Sequence, residues 1–78
     1  MMTAILYTIN GCSKCQNIKN FLQEFDLKFN EINICEQPEF SKEVQKHVGE
    51  FYVPIFIYRN TIIKGDRISE IKELVGVK

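Results

Sequence analysis

The run T-A-I-L-Y-T-I at residues 3–9 constrains this chain more than any other stretch. It is rich in β-favouring residues and shows little alternation of apolar and polar, so it reads as a strand covered on both faces. Such a strand belongs inside a sheet with a layer of structure on each side. Asn10-Gly11 then breaks the run. From 13 to 25, Cys15, Ile18, Phe21, Leu22 and Phe25 recur at helical spacing, with Lys14, Asn17, Lys19, Gln23 and Glu24 at other positions. A buried strand that feeds straight into a helix is the first half of a βαβ unit.

The rest of the chain completes that unit and adds to it. K-F-N-E-I-N-I at 28–34 places Phe29, Ile32 and Ile34 among polar residues, with a slip in the alternation at 30 and 31, and reads as a second strand parallel to the first. Pro38 suits a first helical turn, Phe40, Val44 and Val48 recur at every fourth position, and Gly49 ends the pattern. Residues 55–58 and 61–64 are β-branched and aromatic runs joined by Arg59-Asn60, a two-residue hairpin in which Asn tolerates positive φ and Arg is an unusual partner. Asp66 is positioned to cap a last helix marked by Ile68, Ile71, Leu74 and Val75. The predicted order, βαβαββα, gives an α/β fold: a four-stranded mixed sheet flanked by three helices.

Seventy-eight residues form a single domain, 1–78, close to the lower size at which a chain folds without a staple. Ten basic residues balance ten acidic ones, so no net field attracts nucleic acid or an anionic membrane. The opening M-M-T-A-I-L has no basic leader, and no apolar stretch approaches the roughly 20 residues that span a bilayer. These features lead us to expect a cytoplasmic monomer. Three cysteines is an odd count that argues against a secreted disulfide framework.

Cys12 and Cys15 fall where the first strand gives way to its helix. At the carboxyl end of a central strand, α/β sheets commonly place their chemistry. Cys12 would meet the unpaired N–H groups and the positive end of the helix dipole, and Lys14 adds a cation, all of which favour a thiolate. Cys15, one turn on and on the inner face, would be less exposed. The asymmetry suits a two-step exchange, in which Cys12 attacks a disulfide and Cys15 resolves the mixed disulfide. Other readings of a C-x-x-C are half of a zinc site, with Cys35 and His47 as further ligands, or a structural disulfide. Cys35 and His47 lack the spacing of the usual second half of a zinc site, and a bridge over so short a loop constrains the unfolded chain little.

Read by residue type alone, Pro54 is a trans proline that starts a strand, Tyr7 is core, His47 is a helix-end residue and Cys35 is a partly buried small hydrophobe. Tyr52 lies just before Val53-Pro54, at the rim of the expected groove. A cis Val53-Pro54 bond would instead turn the Val53 N–H and C=O toward the cysteines, to hold an extended substrate.

C-S-K-C at 12–15, Val53-Pro54 and Gly65 before the last helix, in this order of elements, resemble the glutaredoxins. The resemblance covers nearly the whole chain. It implies a thioredoxin fold, a nucleophilic Cys12, a resolving Cys15, a cis Pro54, and a dithiol–disulfide oxidoreductase that acts on protein disulfides or glutathione mixed disulfides with no tightly bound cofactor. Several positions depart from the family pattern. Ser13-Lys14 replaces Pro-Tyr, Ile9 replaces a glutathione-binding Lys, Tyr52 replaces Thr, Lys64-Gly65 replaces a Gly pair, and Arg67 replaces an acidic residue or Ser. Two electron donors follow: glutathione, with Lys14 and Arg67 supplying the missing contacts, or a thioredoxin-reductase-type flavoenzyme, as for the glutaredoxin-like proteins that supply ribonucleotide reductase. The substrate-side residues expected are Lys14, Tyr52, Val53, Pro54, Gly65 and Arg67. The rival class is a non-catalytic thioredoxin-fold protein that binds zinc or an iron–sulfur cluster through the C-x-x-C.

Overall fold

A computed structural model describes residues 4–76. Its elements are β1 (Ala4–Thr8), α1 (Ser13–Glu24), β2 (Phe29–Asn33), a 3₁₀ turn (Pro38–Phe40) leading into α2 (Ser41–Val48), β3 (Ile55–Tyr58), β4 (Thr61–Lys64) and α3 (Ile68–Val75). The order is the one expected, and the strands form one four-stranded sheet ordered β2-β1-β3-β4. β1 pairs in parallel with β2 and antiparallel with β3, and β3 pairs antiparallel with β4. This is the thioredoxin-like arrangement that the resemblance implied.

β1 is covered on both faces because its two sets of side chains feed separate cores. Ala4 and Leu6 pack with Ile18, Phe21 and Leu22 of α1, Phe56 and Ile63 of the hairpin, and Ile71 of α3. Tyr7 points the other way and packs with Ile34, Val44 of α2 and Ile55. The slip read in the second strand has the same cause: Phe29 joins the first core, whereas Ile32 and Ile34 join the second. A strand used by both cores cannot keep one strict alternation. Burying each large aliphatic side chain contributes about 1.5–3 kcal/mol.

Four expectations need correction or narrowing. Thr3, the first residue of the predicted strand, lies outside the described residues. Phe25 is the C-cap of α1 rather than a core residue, 43% exposed, with its ring 5.0 Å from that of Phe21. The helix ends there, and Asp26 takes a positive φ of 55°. In the hairpin, Arg59 and not Asn60 carries the positive φ, 57°, and its guanidinium lies 5.3 Å from the Tyr58 ring centroid. The strands' twist requires that backbone shape, and the cation–π contact offsets part of its cost. Asp66 does not cap α3: the N-cap is Arg67, with no side-chain cap hydrogen bond.

Phe56 is fully buried on β3, so Phe56→Ala should cost about 3–5 kcal/mol. Phe25→Ala should cost under about 1 kcal/mol, as for other surface changes. Urea unfolding midpoints of the two variants check this contrast, and equal midpoints would contradict the core assignment.

Candidate active site

The strand register gathers the functional loops at one end of the sheet. Tyr7, near the carboxyl end of β1, pairs with Ile55 at the start of β3, and Ile55 pairs with Lys64 at the end of β4. The segments 9–15, 52–54 and 64–67 therefore leave the sheet on the same side. The Gly65 N–H donates to the Pro54 carbonyl at 2.9 Å, joining two of these loops. The Val53-Pro54 peptide bond is cis, not the trans form read from residue type alone.

Cys12 is the N-cap of α1, with extended backbone. Gly11 makes the turn into it at φ 72°, a conformation that side chains disfavour. The Cys12 Sγ accepts the Cys15 N–H at 3.0 Å, and the Cys12 carbonyl accepts the Gln16 N–H at 3.1 Å. The sulfur thus occupies the position where a Ser or Asp oxygen would cap the helix, against donors that no helical carbonyl reaches. Cys12 and Cys15 are joined in a disulfide, their Cα atoms 5.2 Å apart. Cys12 is half-buried, whereas Cys15 is 1% exposed, the asymmetry that two-step exchange requires. Both line a groove of about 360 Å³ with Ile9, Asn10, Gly11, Ser13, Gln16, Lys19 and Asn33.

A second groove, of about 540 Å³, brings together Tyr52, Gly65 and Arg67 with Ile62, Ile63, Lys64, Asp66 and Glu70. Its cations are matched by acids. Lys64 pairs with Glu50 and lies 4.8 Å from the Tyr52 ring centroid, and Arg67 pairs with Glu70 at 3.1 Å. Gly65 has φ 92°, and a Cβ there would sit 3.6 Å from the Tyr52 hydroxyl. Tyr52 thus lies across the Gly65 turn. Lys14 is exposed on the first turn of α1, and neither groove is lined by Lys14, Val53 or Pro54.

Cys35 is exposed, contrary to the expectation of partial burial. β2 stops at Asn33 and the inward position passes to Ile34, 7% exposed, which turns the next side chain outward. There the Cys35 Sγ accepts the Asn10 backbone N–H at 3.5 Å. His47 is exposed in the last turn of α2, 6.1 Å from the Tyr7 ring. Tyr7 is core as expected, and burial, with the Glu43 carboxylate second, pushes its phenol above the usual range. Among the described residues no three His, Cys, Asp or Glu are grouped to hold a metal.

One cluster escaped the sequence reading. Thr8, 1% exposed, donates its hydroxyl to Glu31 at 2.7 Å, and the same carboxylate oxygen pairs with Lys19 at 3.2 Å. The available signals were a Thr inside an apolar run, a Glu at the slip in the second strand, and a Lys four residues after Cys15. No periodicity argument connects three separate segments.

Comparison with known proteins agrees with this geometry. The glutaredoxin family pattern matches residues 4–63. The glutaredoxin-like protein NrdH of Lactococcus lactis subsp. cremoris (strain MG1363) is 38% identical over 69 residues, covering 88% of this chain and 94% of the relative. Among solved structures, the glutaredoxin-like NrdH-redoxin of Escherichia coli, described as having a thioredoxin-like activity profile, superposes with a TM-score of 0.84. It is 26% identical, over 94% of this chain and 95% of that one. A glutaredoxin of Archaeoglobus fulgidus shares the fold with a TM-score of 0.86 at 22% identity, over 96% of this chain and 87% of its own.

Alkylation of the oxidised native protein should label one thiol, Cys35, and reduction with unfolding should raise the count to three, read by intact mass. In the reduced protein, Lys14→Ala should raise the Cys12 pKa, followed by thiolate absorbance, since it removes a cation two residues from the sulfur.

Proposed function

This chain belongs to the glutaredoxin family, and from that premise we propose that it reduces protein disulfides and takes its electrons from a thioredoxin-reductase-type flavoenzyme. Membership of the glutaredoxin family, with a C-x-x-C at residues 12–15, supports disulfide oxidoreduction through that pair. The observation that carries the reading is the Cys12–Cys15 disulfide, one sulfur half-buried at a helix N-cap and the other enclosed behind it. Cys12, as thiolate, attacks the substrate disulfide. Cys15 then displaces the substrate thiol and leaves the oxidised pair. The chemistry uses the protein's own thiols, as a monomer and without a bound cofactor.

Support for the flavoenzyme over glutathione comes from the rim. The glutathione reading needs Lys14 and Arg67 to receive carboxylates, yet Arg67 is engaged with Glu70, Lys64 with Glu50, and Tyr52 lies across Gly65. A small anionic tripeptide would have to displace these pairs, whereas a protein substrate brings a larger contact area. The thioredoxin-like activity profile described for the Escherichia coli relative favours the same donor. Ribonucleotide reductase, implied by the family resemblance, is a candidate substrate. In this reading Tyr52 and Val53 border the substrate, and Pro54 and Gly65 shape the loops that hold them.

Turnover of insulin disulfides should run with NADPH and a bacterial thioredoxin reductase and should be at least about tenfold slower with glutathione as sole donor. Equal rates would transfer the reading to glutathione. Cys12→Ser should abolish turnover, and Cys15→Ser should accumulate a mixed disulfide on Cys12, visible by mass. Loss of trapping only in Cys12→Ser checks the order of the thiols.

A further inference from the structure

Resolution requires the least accessible thiol in the site to ionise. Cys15 is 1% exposed, and burial disfavours its thiolate. Lys19 is the one ionisable side chain besides the cysteines among the residues that line their groove. It follows Cys15 by four residues on α1, so the two share a helix face about 6 Å apart along the axis, and a long helical side chain leans back toward the N-terminus. Cys12 lies seven residues from Lys19, about 10 Å along the same axis. Lys19 is also held in place: its ammonium pairs with Glu31, and Glu31 is anchored by the buried Thr8 hydroxyl.

We propose that Lys19 is a positioning residue for the resolving step, its ammonium favouring the Cys15 thiolate. The inference rests on the exchange roles of Cys12 and Cys15. In the step it serves, Cys15 gives up its proton to water. The thiolate electron pair forms the Cys15–Cys12 bond, the bond between Cys12 and the substrate sulfur breaks, and the departing thiolate takes up a proton. The substrate disulfide has then gained two electrons and the protein pair has lost them. The other charged groups on the elements around the site are Lys14 on α1, Glu31 on β2, and Asp66 before α3, whose Oδ2 lies 3.5 Å from the Asn17 amide nitrogen. None of Lys14, Glu31 and Asp66 lines the cysteine groove, so Lys19, held by Glu31 from its side, is the cation placed along it.

The test is stopped-flow reaction of the reduced protein carrying Cys35→Ser, which removes the exposed third thiol, with a bis(nitrothiobenzoate) disulfide. It releases one coloured thiolate when Cys12 attacks and a second when Cys15 resolves. Lys19→Met keeps the aliphatic stem and removes the charge. If it raises the Cys15 pKa by about one unit, thiolate falls about tenfold while nucleophilicity rises about threefold, so the second phase should slow about threefold at neutral pH. Its pH midpoint should shift upward, the first phase should stay within about twofold, and Lys19→Arg should restore both features. Lys19→Gln serves as a second neutral variant. An unshifted second-phase midpoint in both neutral variants, or equal slowing of both phases, would overturn the assignment. A Cys35→Ser protein with Lys19 intact and no second phase would overturn the exchange reading as well.

Discussion

The fold depends on the double pairing of β1. Its backbone is committed to a parallel ladder with β2 on one side and an antiparallel ladder with β3 on the other, so its side chains must be covered on both faces. α1 and α3 cover one face and α2 the other. Because β1 and β2 run in parallel while β3 opposes them, the end of β1, the end of β2, the start of β3 and the end of β4 meet on one side. The loops that carry chemistry are there because the ladders put them there. An α/β sheet with its central strand satisfied in this way has little freedom to place them elsewhere.

Within that frame, one atom joins local structure to reactivity. The Cys12 sulfur caps α1 by accepting the Cys15 N–H, a donor the helix itself cannot satisfy. A capping acceptor is favoured more when it is negative, so the contact that starts the helix also favours the thiolate form of the nucleophile. The surrounding charges are treated differently. Lys64 and Arg67 are matched by Glu50 and Glu70 in exposed pairs, which contribute little to stability and lower the positive potential of the rim. Lys19 is the cation that a partner holds along the cysteine groove itself.

Most elements were legible because each signal was local. The apolar run of β1, the helical spacing of Ile18, Phe21 and Leu22, and the Gly49 that ends α2 each depend only on near neighbours in sequence. Errors arose where a residue's environment is set by a distant segment. Phe25 matched the helical period but lies past the end of α1, as its C-cap. Cys35 has the composition of a core residue, but Ile34 takes the inward position at the end of β2. Asp66 has the right chemistry for a cap, yet the chain enters α3 through Arg67.

The sequence by itself determined the order of elements, the placing of Cys12 and Cys15 at a strand-to-helix junction, and the family to which these motifs point. Hydrophobic period, turn residues and cysteine spacing act over a few positions, so a linear reading captures them. Only the tertiary structure decided that Thr8, Glu31 and Lys19 share one carboxylate, that Tyr52 lies across Gly65, and that Cys35 faces outward. Each of these depends on side chains from segments far apart in sequence, and their meeting is set by strand register and helix packing rather than by any local propensity.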